Sequence, residues 1–437
     1  MSAKRVKLGW RRLDNSAKIF PISAGKKYST VFRFSVLLKE IVNKADLEKA
    51  VNIVLEKYKT FKVRMVEGAF WYYFEENSKK IMIEEEKEYP CEYIDPKRNK
   101  GYLFKITYFK TKINIDIFHS LTDGNSGIIF FKEIIYTYLE IMHPEVLNEN
   151  ERKLRKIEMD LDFDTEDSYI QNYDKKIKSR IKSRQAYRLK GRKIGLNAKS
   201  VIHNIINLEE LKSESKKNEI TITGYLTAVL IYSIYKANYL KNISIKTAKN
   251  KKQNPIKICI PVNLKKYFNS KTLSNFFSYI TLEADMNEIK EFKEIIEFVK
   301  KEFVEKLKEE EIIKTMSSNV KIGTNPILKI VPLTIKKILV RLSYIQIRKY
   351  TTITFSNIGR IGIIGKYQDY IEYFMMLIAP EPVEKIKCSS CSFGNNIVFT
   401  FTSILKDSSI EKFFYEFLKK QKINVRIESN GVLNDIS

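Results

Sequence analysis

Histidine is scarce in this chain: its 437 residues include three, His119, His143 and His203. Cysteine is little commoner, and four thiols do not make a disulfide framework at this length. Cys91 and Cys259 stand alone in strand-like runs, the pattern of buried thiols. Cys388-Ser389-Ser390-Cys391 has redox or zinc spacing, but no second such pair and no nearby histidine completes a site. The run around it alternates like a strand, and no metal is expected. No run of about 18 apolar residues is present, which excludes a membrane-spanning helix. Met1 to Lys7 is basic but leads into no apolar core, so no signal peptide is expected and a reducing, cytoplasmic setting is the default. No short-period repeat is present, which excludes a solenoid. Acidic residues are outnumbered, 52 against 78 basic, for a formal net charge of +26. Such a balance draws polyanions: nucleic acid, an anionic membrane surface, a phosphorylated cofactor or an acidic carrier protein. A Lys-rich soluble surface accounts for the same balance equally well.

What is present suffices for large cores. Hydrophobic residues make up 44% of the chain and aromatics 12%, which excludes general disorder. The length predicts two domains. Phe32, Phe34, Val36 and Leu38 alternate as in a half-buried strand. Leu47, Ala50, Val51, Val54, Leu55 and Tyr58 form one helical stripe, with Asn43 as its N-cap. Strand patterns return at 61–66, 70–74 and 103–109, and then at Ile113, Ile115 and Ile117. A second stripe runs from Ile128 to Met142, capped by Asn125 or Ser126.

From Asp174 to Lys193, ten of twenty residues are basic and one is acidic, which reads as an exposed crossover. Its aromatic interleaving is poor, so nucleic-acid binding is not expected. The division that follows is 1–173, a basic linker at 174–199, and 200–437. The second half repeats the style of the first. A helix starts near Thr221 or Thr223. A strand through Ile256, Ile258 and Ile260 ends at Pro261, and 276–282 is another. A long helical stripe begins at Ile289. Four strands follow at 351–357, 371–377, 385–391 and 397–404, with a turn at Gly394, and a helix lies near 410–418. Strands and helices mix without strict alternation, so the fold class is α/β with mixed sheets and flanking helices.

The segment richest in chemistry is Phe118-His119-Ser120-Leu121-Thr122-Asp123-Gly124. An imidazole at a strand end can take a proton at neutral pH. His119 shares the parity of Ile113, Ile115 and Ile117, so its ring is expected on their side of the strand. Asp123 can hold local geometry, and Gly124 permits a tight turn. His143, at a Met-His-Pro helix exit, and His203, in a strand-like run, have no partner pattern.

His119 to Gly124 resembles the HxxxDG motif of the chloramphenicol-acetyltransferase-like superfamily, closest in style to alcohol O-acetyltransferases and condensation domains. Ile260-Pro261-Val262-Asn263-Leu264-Lys265, followed by Leu273-Ser274-Asn275-Phe276-Phe277, is similar to the P-V-N-L-R motif and the Asn-Phe segment of these families. Thr354-Phe355-Ser356-Asn357-Ile358-Gly359 resembles their S-N-x-G strand end. The resemblance spans nearly the whole chain. It departs at Phe118, where many members carry a first histidine, and at Lys265, where arginine is usual and pairs with the motif's aspartate. Lysine keeps the charge but loses the bidentate fork.

The resemblance implies two acetyltransferase-like domains with a tunnel between them, donor and acceptor entering from opposite faces. It implies His119 as general base, a structural Asp123 partnered by Lys265, a backbone role for Gly124, and Ser356 and Asn357 near the developing oxyanion. It implies acyl transfer from a coenzyme A thioester, a co-substrate rather than a tightly bound cofactor, to a small alcohol or amine. A donor on an acyl carrier protein met in trans is the nearest alternative. A non-catalytic polyanion-binding protein on the same fold is the alternative from another class.

Overall fold

The computed structural model describes residues 9–159, 163–177, 184–195, 197–240, 253–325 and 330–432. In chain order the strands are β1 (Trp10–Arg12), β2 (Val31–Leu38), β3 (Val63–Glu67), β4 (Tyr72–Glu76), β5 (Ile83–Glu85), β6 (Phe104–Phe109), β7 (Lys112–Phe118), β8 (Ser200–Asn207), β9 (Ile256–Asn263), β10 (Phe277–Ala284), β11 (Ile353–Arg360), β12 (Ile371–Ile378), β13 (Ile386–Phe393), β14 (Asn396–Ser403) and β15 (Val425–Ser429). They form a small sheet β1-β4-β3, a five-stranded sheet β12-β2-β7-β6-β5 and a seven-stranded sheet β10-β9-β11-β13-β14-β8-β15. The larger two are mixed: β5 runs parallel to β6, and β11 parallel to both β9 and β13, among antiparallel pairs. Late in the chain, β12 crosses to the five-stranded sheet and pairs with β2, Phe374 opposite Val36.

The two faces of β2 show how sequence becomes architecture. Phe32, Phe34 and Val36 enter the first core, with Leu47, Val51 and Val54 of the helix Lys44–Lys57. Asn43 caps that helix, accepting from the N–H groups of Ala45 and Asp46. Arg33, on the opposite face, is also buried. Its guanidinium donates to both oxygens of Asp116, at 2.9 and 2.6 Å, and pairs with Glu86. Removing one partner of so buried a pair costs about 3–5 kcal/mol, because the other charge is left uncompensated. The second core gathers around the seven-stranded sheet and the helix Ile222–Ile234.

Cys388 and Cys391 both lie in β13, three residues apart and so on opposite faces. Cys388 packs into the second core and Cys391 into the first. Cys91 departs from the strand reading: it occupies a turn at φ 55°.

Several elements differ from the sequence expectation. β9 continues past Pro261 to Asn263, after its pairing with β11 has ended at Cys259. The helix expected from Ile289 begins at Phe292, because Glu291 and Glu294 form a capping box there. Glu149–Met159, Glu309–Thr324 and Leu333–Ile347 are helices that the sequence expectation did not include. The first leaves Leu154 and Ile157 exposed and is held by Arg155 instead. That guanidinium bonds both oxygens of Glu133, at 3.0 and 2.6 Å, and lies 4.2 Å from the Tyr136 ring centre.

The basic crossover is less exposed than its composition implies. Residues 178–183 and 196 lie outside the described residues. Beyond them Ala186, Tyr187 and Leu189 are buried, and the Tyr187 hydroxyl reaches Asn238 Oδ1 at 2.9 Å. Arg184 donates to Asp285 at 2.8 Å.

Candidate active site

β7 ends at Phe118, and the backbone N–H of His119 prolongs its pairing with β2 by donating to Thr30 O at 3.0 Å. Parity then turns the imidazole toward the apolar face, where Phe32 meets it edge-on at 5.1 Å. Phe20 stacks on the ring at 4.6 Å, and Phe277 of β10 approaches from the other half at 5.3 Å. The ring is half-buried between these walls.

A polar line runs from the imidazole into the protein. Asn275 Oδ1 lies 3.0 Å from His119 Nδ1. The Asn275 amide nitrogen donates to Asp14 Oδ2 at 3.0 Å, and its backbone N–H donates to the same oxygen at 3.1 Å. The other Asp14 oxygen accepts from Ala17 N at 2.8 Å. Because Asn275 Nδ2 is spent on a carboxylate, Oδ1 must be the acceptor toward the ring. The proton of neutral His119 therefore resides on Nδ1, leaving the lone pair on Nε2. Among the described residues no hydrogen bond occupies Nε2. Burial pushes His119 below its ordinary pKa, against the opposing pull of its own carbonyl, Asp123 and Asn275. The ring is neutral at pH 7 and competent as a base. Burial also pushes Asp14 up to about 6.

Asp123 serves structure on the other side of the loop. It is the N-cap of the helix Gly124–Met142, its Oδ1 accepting from Ser126 N at 2.9 Å. The cap is thus the motif's aspartate, two or three residues ahead of the expected Asn125 or Ser126, which fall inside the helix. Asp123 Oδ2 accepts from Phe276 N at 2.9 Å. Lys265 Nζ pairs with the carboxylate at 3.0 Å and also donates to Ser126 Oγ. A lysine therefore reaches the aspartate, with one ammonium shared between two acceptors in place of a fork. Thr122 Oγ1 donates to Leu273 O at 2.7 Å, so Leu273, Asn275 and Phe276 are each bonded to the motif loop.

Gly124 does not sit in the left-handed region, so it is not there for a tight turn. A β-carbon at this position would lie 2.9 Å from Ile358 Cδ1 and 3.6 Å from Met376 Cε. A side chain here would press on the free end of Ile358, so the glycine eases close approach between the motif helix and β11. Ser356 and Asn357 precede that contact on β11. Asn357 Nδ2 donates to Thr223 Oγ1 at 2.8 Å, and its Oδ1 accepts from Gly359 N at 2.9 Å. Ser356 is buried beside Ser389 of β13. The other histidines are engaged elsewhere: His143 with Glu40 at 2.9 Å and His203 with Thr400 at 2.9 Å.

Asp14 was not singled out in the sequence, and Asn275 appeared there only inside a motif. The signal for Asn275 was its place in the Asn-Phe segment. Asp14 lies 105 positions before His119 with no pattern joining them.

A cleft of about 390 Å³ opens beside the motif helix. Ser126, Lys132, Lys265, Lys271, Thr272 and Arg360 supply its polar wall, and Ile128, Leu273 and Ile358 part of its apolar one. Among the described residues no group of His, Cys, Asp and Glu side chains could hold a metal ion.

Solved structures share this architecture along their full length. The starter condensation domain of rhizomide synthetase, a mutant crystallised with C8-CoA and Leu-SNAC, superposes with TM-score 0.59 at 8% identity, covering 96% of each chain. The fold is chloramphenicol-acetyltransferase-like. TRI101 of F. sporotrichioides, complexed with coenzyme A and T-2, shares this acetyltransferase-like fold at TM-score 0.58 and 10% identity, covering 96% of this chain and 99% of its own. Polyketide synthase associated protein 5 from Mycobacterium tuberculosis gives 0.57 at 11%, covering 93% and 96%. No protein-family model and no curated protein sequence matches the chain.

Proposed function

We propose that this protein is an acyltransferase that moves an acyl group, most simply acetyl, from a coenzyme A thioester to a small alcohol or amine. The observation that carries the reading is the His119 tautomer. Nδ1 is committed to Asn275, so the lone pair lies on Nε2, which no hydrogen bond occupies among the described residues. Nε2 takes the proton of the acceptor O–H or N–H as that atom attacks the thioester carbonyl. The tetrahedral intermediate collapses by breaking the C–S bond, and the leaving thiolate takes the proton back from Nε2. Both substrates are held together, so no acyl-enzyme is needed. Ser356 is the candidate donor to the developing oxyanion. Asn357 is the weaker candidate, because its amide already bonds Thr223 and Gly359.

The cationic cleft supports the choice of donor. Its lysines, its arginine and the N-terminal turn of the motif helix suit a phosphorylated arm, and its isoleucines suit an acyl or pantetheine chain. TRI101 and the rhizomide synthetase domain, similar in fold, were crystallised with coenzyme A or C8-CoA.

The test is transfer from free acetyl-CoA to a panel of small alcohols and amines. The native chain is expected to turn over, and His119→Ala to lose at least about a hundredfold. Equal rates in the two proteins would remove His119 from the reaction.

A further inference from the structure

We propose that the helix Leu333–Ile347 is a membrane-docking element that lies on an anionic lipid bilayer. It rests on the protein through Leu333 and Lys336, which are buried. Ile335, Ile338, Leu339 and Leu342 occupy the opposite side, at i, i+3, i+4 and i+7, so they form one face. All four are exposed, Ile338 at 63% and Leu342 at 59%. Ile330 just before the helix and Phe70 in the β3–β4 turn are also exposed. Lys336 Nζ donates to Phe70 O at 2.9 Å, which fixes that turn against the helix. An exposed aliphatic helix face of this kind calls for an occupant.

Charge identifies the occupant. From Ile312 to Gln368 the chain carries ten basic residues and no acidic one. Lys337, paired with Glu67, and Arg341 stand on the helix itself, and Lys349 follows its end, whereas Lys336 is buried on the inner side. An aliphatic face bordered by cations matches an interfacial helix, with isoleucine and leucine among the acyl chains and the cations at the phosphates. A protein partner fits less well. The exposed face is aliphatic and offers no side-chain hydrogen bond, whereas protein hot spots favour tryptophan, tyrosine and arginine. Among the described residues no single helix is long and apolar enough to cross a membrane, so the contact is with its surface.

The position of this helix relative to the imidazole gives the docking a use. It packs against the short helix Phe20–Ser23, and Tyr344 meets Tyr28 edge-on at 6.0 Å. Phe20 in turn stacks on His119. A docked protein holds the approach to the candidate base close to the lipid surface, which favours an acceptor or acyl chain that partitions into lipid.

The test is co-sedimentation of the full chain with vesicles of phosphatidylcholine alone and with phosphatidylglycerol added. The wild type is expected to bind the phosphatidylglycerol vesicles. Ile338→Ser combined with Leu342→Ser keeps every charge, and is expected to weaken that binding at least tenfold with an unchanged melting temperature. Wild-type binding that the double variant retains would mean simple adsorption by net charge and overturns the proposal. So does absence of binding by the wild type, or a dimer in sedimentation velocity that the double variant abolishes. Vesicle binding is read without any acyl transfer, so it stands or fails independently of the proposed activity.

Discussion

Asn275 Oδ1 lies 3.0 Å from His119 Nδ1, while the amide nitrogen of the same side chain lies 3.0 Å from Asp14. One amide thus converts a buried carboxylate into a tautomer choice at the imidazole. Asp14→Asn takes away the certainty of that orientation, since the new amide can present either end to Asn275. It is expected to lower kcat by about 10- to 100-fold, with little change in KM for the thioester. Combining it with Asn275→Asp puts a carboxylate directly on Nδ1–H and is expected to restore much of the rate. Nitrogen NMR of the imidazole gives a check free of activity: neutral His119 in the wild type carries its proton on Nδ1.

The pH profile follows from the same line. Burial holds His119 below its ordinary pKa of 6.5, so the base stays neutral at pH 7 and is lost only as the pH falls further. Asp14, raised to about 6, protonates in the same acidic range and loosens its grip on Asn275. The expected kcat/KM curve is flat above pH 7 and falls on a limb centred below 6.5. In the Asp14→Asn, Asn275→Asp protein the new charge beside the ring raises the imidazole pKa, so the limb moves to higher pH. A limb centred above 7 in the wild type would contradict the buried setting of the ring.

Gly124→Ala places a methyl group 2.9 Å from Ile358 Cδ1. Because the clash is with the free end of a flexible side chain, the cost is expected at the low end of overpacking, about 1 kcal/mol. Ile358→Val removes the offending carbon, so the double variant is expected to recover most of the loss in a denaturant melt. Additive losses would mean that the glycine serves something other than this contact.

Lys265 and Asp123 are largely buried, and their pairing spans 142 positions of sequence. Lys265→Met leaves Asp123 with its two backbone donors but no counter-charge, and is expected to cost about 3 kcal/mol of stability. Lys265→Arg keeps the charge and can form a fork, so it is expected to stay close to the wild type.

His203 provides a stability test apart from the active site. Burial, with Lys112 adding to it, pushes its pKa down to about 3. Below pH 6.5 the unfolded chain therefore binds a proton that the folded chain refuses, and stability falls as the pH drops through that window. His203→Asn can keep the bond to Thr400 without the titration. At pH 4.5 the variant is expected to retain about 2 kcal/mol more of its pH 7 stability than the wild type does.

Local sequence determined much of this protein. Alternation in Phe32–Leu38, the stripe from Leu47 to Tyr58 and the cap at Asn43 are short-range patterns, and each appears where periodicity puts it. The side of the sheet on which His119 projects follows from strand parity alone, because side chains alternate regardless of context. The resemblance pairs an arginine with the motif's aspartate and left a lysine's pairing open, and the geometry places Lys265 Nζ 3.0 Å from Asp123. Only the tertiary structure decided the rest. Asp14 reaches His119 through Asn275 across three distant segments, and no spacing rule joins residues that meet only when the sheets assemble. Glu149–Met159 is docked by Arg155 on Glu133 and Glu140, a contact that a search for apolar stripes passes over. Gly124 reads as a turn residue in sequence, yet the neighbour that a side chain there would press on arrives from more than two hundred residues away. Periodicity and capping act over a few residues and are written in composition, whereas packing and charge pairing depend on which surfaces the whole chain brings together.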